Sequence, residues 1–231
     1  MSSPSGNEPR RRTGRPRRDP RAVVGDPTDD ILRAASALFS ELGVGGTTMS
    51  RIATASGLGP SSLYYYFRSR DEIVAALVAR ANVVPLDLVD SIAKDDGSIA
   101  SKLLRFVAGD VEALCHLPFD INEVHRIAAR DRERFAAYWK ERARLERKLA
   151  AMIREGVATG ELREVDAPLV AVTIMSNDEG VQNWFRLGTR RRASAVARSV
   201  AELTVGGLLS DKVPLSQVVA EVSKHHRNRH A

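Results

Sequence analysis

The sequence is short of cysteine, of aromatic residues and of long apolar runs. A single cysteine, Cys115, excludes an intrachain disulfide and suits a reducing compartment. No apolar run is long enough to span a bilayer. The first twenty-five residues lack the apolar stretch of a secretory signal, and their Pro, Gly and acidic residues do not make an amphipathic transit peptide. A cytoplasmic protein that does not enter membranes is expected. Missing too are any internal repeat, strand-like alternation of useful length, and the spacings HExxH, G-x-S-x-G and the P-loop. His116, His125, Asp110, Asp120 and Glu123 are scattered, so neither an enzyme nor a cofactor is expected. The tail "KHHRNRH" reads as a solvated basic end rather than as a metal site.

What is present is a chain of 231 residues, 43% hydrophobic, enough for one large domain or a small one joined to a larger. The net charge of +6 is unevenly placed. Residues 1–25 carry Arg10, Arg11, Arg12, Arg15, Arg17, Arg18 and Arg21 against Glu8 and Asp19, which is +5 on one short arm. Composition predicts that this arm is disordered. It is either a solubilising tail or a segment that lies along a polyanion, where each Arg releases a condensed counterion. Arg15 and Arg17 flank Pro16 in "TGRPRR", a narrow extended shape suited to an A·T-rich minor groove.

After the arm the pattern is all-α, with Gly and Pro falling between runs of helical period. Asp26 is a good N-cap, Pro27 suits the first helical position, and Ile31, Ala34, Ala35, Leu38 and Leu42 form an apolar stripe that closes at Gly43. A short helix follows Thr48 with Ile52 and Ala53 inward, and another runs from about Pro60 to Phe67. Ser69 and Glu72 make a capping box for a fourth, which continues through Ile73, Leu77 and Val78 until Pro85 ends or kinks it. Residues 26–84 thus form a small unit and residues 85–231 a larger one. Longer helices are expected at about 98–116, 119–130, 132–158, 166–187, 192–210 and 215–226.

The stretch "GLGPSSLYYYFRSRDEI", residues 57–73, holds the chemistry. Leu63 and Phe67 at i, i+4 can be buried on one face, but Tyr64, Tyr65 and Tyr66 then spread around the rest of the helix. Three successive residues cannot all point inward. Two short helices joined by "ASGLG" have the anatomy of a helix-turn-helix, whose second helix enters the major groove. Gly59 and Pro60 open that helix with backbone N–H groups free for phosphate. Ser61 and Ser62 are short enough to approach base edges, and the tyrosines offer hydroxyls to phosphate and rings to thymine methyls. Arg68 and Arg70 follow where the chain leaves the groove.

Residues 31–77 resemble the N-terminal domain of the TetR family of bacterial one-component transcriptional regulators. The resemblance rests on Gly46-Thr47-Thr48-Met49, Ile52-Ala53, Ser56-Gly57-Leu58, Leu63-Tyr64-Tyr65-Tyr66-Phe67 and Asp71-Glu72-Ile73. It departs at Gly59-Pro60-Ser61, which stands where Ser-x-Gly is commoner. The resemblance implies a three-helix DNA-binding domain followed by a larger helical domain for ligand binding and dimerisation. It implies that Thr48 caps the second helix and meets a phosphate, with Ser50 near the groove. Ser61, Ser62 and Tyr65 would face the groove, while Tyr64, Tyr66 and Arg70 would grip the backbone. The partners implied are a double-stranded, near-palindromic operator, a second copy of the chain, and a small, largely apolar effector that releases the repressor from DNA. An architectural DNA binder without an effector is the alternative, and the large second domain argues against it.

In that second domain, Phe106, Phe119, Trp139 and Trp184 are expected to line an apolar cavity, with Asn122, His125 or Asn177 orienting the ligand. Asn177, Asp178, Gln182 and Asn183 are odd in an otherwise apolar helix; they either line a pocket or meet their equivalents across a two-fold axis. "NWFRLG", followed by a helix ending in "GGLL", is similar to TetR-type regulators that respond to acyl-CoA thioesters.

Overall fold

Asp26 starts the first helix as an N-cap, its carboxylate accepting from the Thr28 N–H at 2.9 Å, with Pro27 behind it. The computed structural model describes residues 26–188 and 190–229, so Arg15, Arg17 and the rest of the arm lie outside the described residues. Helix α1 (Pro27–Gly46) is interrupted at Gly43, where φ is 71° and a side chain would be strained. The stripe it buries is Ile31, Leu32, Ala35, Ser36 and Phe39, rotated from the expected one, and Leu42 is exposed. The reason is that α1 has two neighbours. One side packs on the small domain and the other on the larger domain, where Ser36 Oγ accepts from the Asp120 N–H at 2.9 Å.

Helices α2 (Met49–Ala55), α3 (Pro60–Tyr66) and α4 (Arg70–Arg80) complete the small domain around Ile52, Leu63, Phe67, Ile73 and Leu77. The Ser69 hydroxyl accepts from the Glu72 N–H at 3.2 Å, as a capping box requires. The Glu72 carboxylate reaches the Arg68 N–H at 2.7 Å, one residue beyond the usual partner.

Pro85 does not end the fourth helix. The chain turns earlier, at Ala81 and Asn82, and Pro85 sits in the first turn of a separate helix, α5 (Val83–Ala93), where its missing N–H costs nothing. The expected boundary between 84 and 85 therefore falls inside α5. Beyond it, α6 (Ile99–His116) runs through the centre of the larger domain, buried along its length. Around it lie α7 (Ile121–Arg130), α8 (Ala136–Ala158), α9 (Ala167–Gly180), α10 (Ala193–Gly206) and α11 (Leu215–Arg229). The expected 166–187 helix stops at Gly180, and a 3-10 turn, Val181–Asn183, follows. Among the described residues the β structure is limited to one bridge, Leu162 to Leu209.

Candidate DNA-binding helix and effector cavity

Helix α3 is fixed from beneath by two side chains. Leu63 is fully buried and Phe67 nearly so, which sets the rotation of the helix and turns every other side chain outward. Tyr65 is 84% exposed, Tyr64 52% and Tyr66 38%, and Ser61 and Ser62 are open to solvent. The Tyr66 ring meets the edge of Tyr65 at 5.1 Å, which limits the freedom of both. Gly59 caps the helix without a side-chain bond, and a Cβ there would meet nothing within 4 Å, so the first turn is bare on that side. The turn before it closes by a Schellman arrangement. Gly57 has φ 72°, its N–H donates to Thr54 O at 3.1 Å, and the Leu58 N–H donates to Ala53 O at 2.8 Å.

Thr48 caps α2, accepting from the Arg51 N–H at 3.3 Å, and it is exposed beside Ser50. Arg68 is exposed as well. Arg70 behaves differently from the expectation. Its guanidinium turns inward and donates to Thr47 O at 3.0 Å and Gly45 O at 3.2 Å. The buried Thr47 hydroxyl donates to Gly43 O at 3.0 Å and to Leu38 O at 3.2 Å. Together these two residues satisfy the carbonyls left open where α1 breaks. Arg70 is thus a brace of the domain, whatever else its charge does.

The seven residues expected to line one cavity do not converge. Phe106 is fully buried in the α6 core, and Trp184 is 54% exposed after the 3-10 turn. Asn177 faces α10, donating to Thr204 Oγ1 at 3.3 Å. Phe119 lines a cleft between α1 and the α6–α7 turn. His125 and Trp139 do pack together, their rings 5.0 Å apart, while Trp139 Nε1 donates to Ala128 O and the Arg132 guanidinium lies over its ring. His125 Nδ1 shares a 3.0 Å hydrogen bond with the Tyr138 hydroxyl, and Asn122 Nδ2 donates to Glu179 O at 3.3 Å. Burial, then the nearby Arg142 charge, lowers the His125 pKa, and burial pushes the Tyr138 hydroxyl up to about 12, so both are neutral at ordinary pH.

The polar residues of α9 separate by helical rotation. Asn177 and Asn183 point outward, while Asp178 and Gln182 point inward. Gln182 staples the α6–α7 turn, accepting from the Ile121 N–H at 2.7 Å and donating to Leu114 O and Phe119 O. Asp178 is fully buried, and neither carboxyl oxygen has a partner. Close by, a cavity of about 30 Å³ lies between the α4–α5 junction and α6, α8 and α9, bordered by Asn82, Asp110, Arg142, Leu145, Met175 and Glu179. Arg142 holds Glu179 through two bonds, 2.5 and 3.1 Å. Sequence reasoning did not connect Asp110, Arg142 and Glu179. They come from three helices, so no local spacing links them; the one signal was Asp178, a carboxylate in an apolar helix.

Comparison with known proteins agrees with this architecture. Residues 31–77 match the model of bacterial regulatory proteins of the tetR family, and residues 99–208 match that of the tetracyclin repressor-like C-terminal domain. The HTH-type transcriptional repressor KstR2 of Mycobacterium tuberculosis is 27% identical over 198 residues, covering 80% of this chain and 94% of that one. The solved structure of that ketosteroid regulator superposes with a TM-score of 0.70 at 23% identity, over 81% of this chain and 97% of that one. PfmR of Thermus thermophilus, a TetR family transcriptional regulator, gives 0.64 at 28% identity, over 76% and 97%. AibR in complex with isovaleryl coenzyme A and operator DNA gives 0.63 at 19%, over 80% and 98%. A helix-turn-helix with an outward-facing second helix, followed by a helical domain matched along most of its length, leaves one assignment: the chain belongs to the TetR family and is a DNA-binding transcriptional regulator.

Proposed function

We propose that this protein is a repressor that binds a near-palindromic operator as a homodimer and leaves it when a small, largely apolar effector enters the larger domain. The observation that carries the reading is the solvent-facing surface of α3. Ser61, Ser62 and Tyr65 stand where base edges would be, and Thr48, Tyr64, Tyr66 and Arg68 ring them as phosphate contacts. The Arg-rich arm, Arg15 and Arg17 included, adds contacts that are electrostatic and independent of sequence.

Dimerisation is supported by an exposed apolar face on α9 and α10. Leu203 is 80% exposed, and Leu169 and Val172 lie on the same side, beside the groove that Asn177 and Thr204 border. A monomer rarely leaves such a patch open. Two copies joined there present two α3 helices to half-sites about 34 Å apart, one turn of B-DNA. For the effector, the nearest support is that a protein of this fold holds isovaleryl coenzyme A together with operator DNA. An acyl-CoA or another lipid-derived molecule is therefore the first class to try.

Selection from random duplexes by the full chain should return a two-fold symmetric site. Ser62→Ala or Tyr65→Ala should change which site is selected, whereas Tyr66→Phe should weaken all duplexes alike. Deleting residues 1–21 should make the salt dependence of binding shallower. Enrichment of no sequence, or of asymmetric ones only, would overturn the repressor reading.

A further inference from the structure

Three carboxyls, Asp110, Asp178 and Glu179, stand together in the larger domain with one guanidinium among them. Arg142 is taken up by Glu179 in a two-bonded pair, leaving the other two without a cation. Asp110 is only 6% exposed and borders the cavity; Asp178 is fully buried and close enough to Asp110 for each to disfavour the other's charge. An ionised carboxylate buried without a donor is among the costliest arrangements a protein can hold, and such a group in a native structure calls for a missing partner. The remaining wall does not supply one. The Asn82 amide is spent on Tyr138 O at 3.0 Å, and Leu145 and Met175 are apolar. Burial, followed by the Glu179 charge, raises the Asp110 pKa to about 7, and burial raises that of Asp178 well above the carboxylate range, so the pair retains protons near neutrality.

We propose that Asp110 and Asp178 form the polar floor of the effector cavity and select a ligand whose buried end carries a hydrogen-bond donor without negative charge. A hydroxyl or an ammonium group satisfies the pair; a carboxylate or phosphate at that end is repelled. The inference rests on the effector reading above and narrows it: an acyl chain entering tail first needs a hydroxyl or amino group at its leading end. At about 30 Å³ the cavity holds one water, so a larger ligand must displace a wall. The movable wall is Arg80 to Pro85, the α4–α5 junction, which is also the link to the small domain. Ligand volume is thereby converted into a shift of α4 and of the reading helices.

The test is calorimetric titration of the full chain with 1-decanol, decylammonium and decanoate, which differ only at one end. Decanol or decylammonium should bind at least about tenfold more tightly than decanoate, and comparison of the two identifies the preferred donor. Asp110→Asn with Asp178→Asn, near-isosteric, should reverse the order of decylammonium and decanoate. Decanoate binding as tightly as both others, an order unchanged in the double variant, or no probe binding at all would overturn the proposal. If the double variant does not fold, the wild-type order still decides. Operator binding is measured separately without probes, so a failure of the repressor reading and a failure of this one give different results.

Discussion

Asp110 makes a buried carboxyl visible in the stability of the protein. Its folded pKa, about 7, lies above the ordinary value near 3.8, so between those values the folded state binds more protons than the unfolded. Its contribution is fully present below the unfolded value and is lost as the pH rises towards 7, by at most about 1.4 kcal/mol per pH unit. Asp178, Glu179 and Arg142 are the charged groups that set it. Urea denaturation at several pH values between about 4 and 7.5 should show this decline in the wild type and a flatter profile in Asp110→Asn; equal profiles would show that Asp110 ionises freely. Arg70 is the other residue whose role the side-chain type hides. Because its guanidinium closes the carbonyls of Gly45 and Thr47, Arg70→Ala should cost about 1–3 kcal/mol of stability as well as weakening DNA binding. Thermal unfolding indistinguishable from wild type would return Arg70 to a purely phosphate-directed role.

At the scale of elements, the last helix is held by one side chain. Glu221 of α11 accepts from the Ser98 N–H and Ser98 hydroxyl at 2.7 Å and from the Ser101 hydroxyl at 2.9 Å, so it caps α6 from outside. Burial works to raise the Glu221 pKa, but these hydrogen bonds outweigh it and hold the carboxyl below its usual range. The charged form is therefore the one that binds, and its contribution is present above the unfolded pKa and lost as the pH falls through the folded one. Glu221→Ala should release α11 and speed tryptic cleavage after Lys224, with α6 to α10 remaining folded. An unchanged cleavage rate would mean that Val218 and its apolar neighbours hold the helix alone. The turn between α2 and α3 depends on Gly57 in the same way. With φ at 72°, Gly57→Ala should cost about 1–2 kcal/mol and loosen the placement of α3.

For the whole molecule the decisive quantity is the spacing of two reading heads. Leu203 stands exposed at the middle of the α9–α10 face, and Leu203→Glu would place two like charges across a two-fold contact. Light scattering at micromolar concentration should then report a monomer in place of a dimer, with operator affinity falling at least about tenfold because each head binds alone. A dimer of unchanged mass would move the interface elsewhere. Within each head the Arg80–Asp29 ion pair joins α4 to α1, and Ser36 on Asp120 ties α1 to the larger domain. Movement at the α4–α5 junction therefore reaches α3 through α1 and α4 together.

Local chemistry determined the parts whose physics is local. Asp26 and Pro27, Thr48, and Ser69 with Glu72 set helix starts because a cap needs only its own turn, and Gly43 and Gly57 set stops because only a positive φ was required. The outward face of α3 followed from Leu63 and Phe67 alone, since burying two residues at i, i+4 orients every residue between them. The α5 start was hidden because Pro85 can end one helix or open another, and only the packing of α5 on α6 and α8 decides which. The rotation of α1 was hidden for a similar reason, its second buried side facing a domain about eighty residues away. The effector cavity was the least legible. Phe106, Trp139 and Trp184 are all large apolar side chains, and hydrophobicity favours burial without saying against what. Asp110, Arg142, Asp178 and Glu179 meet only when α6, α8 and α9 are stacked, and it is that stacking which leaves a carboxyl pair buried without a donor.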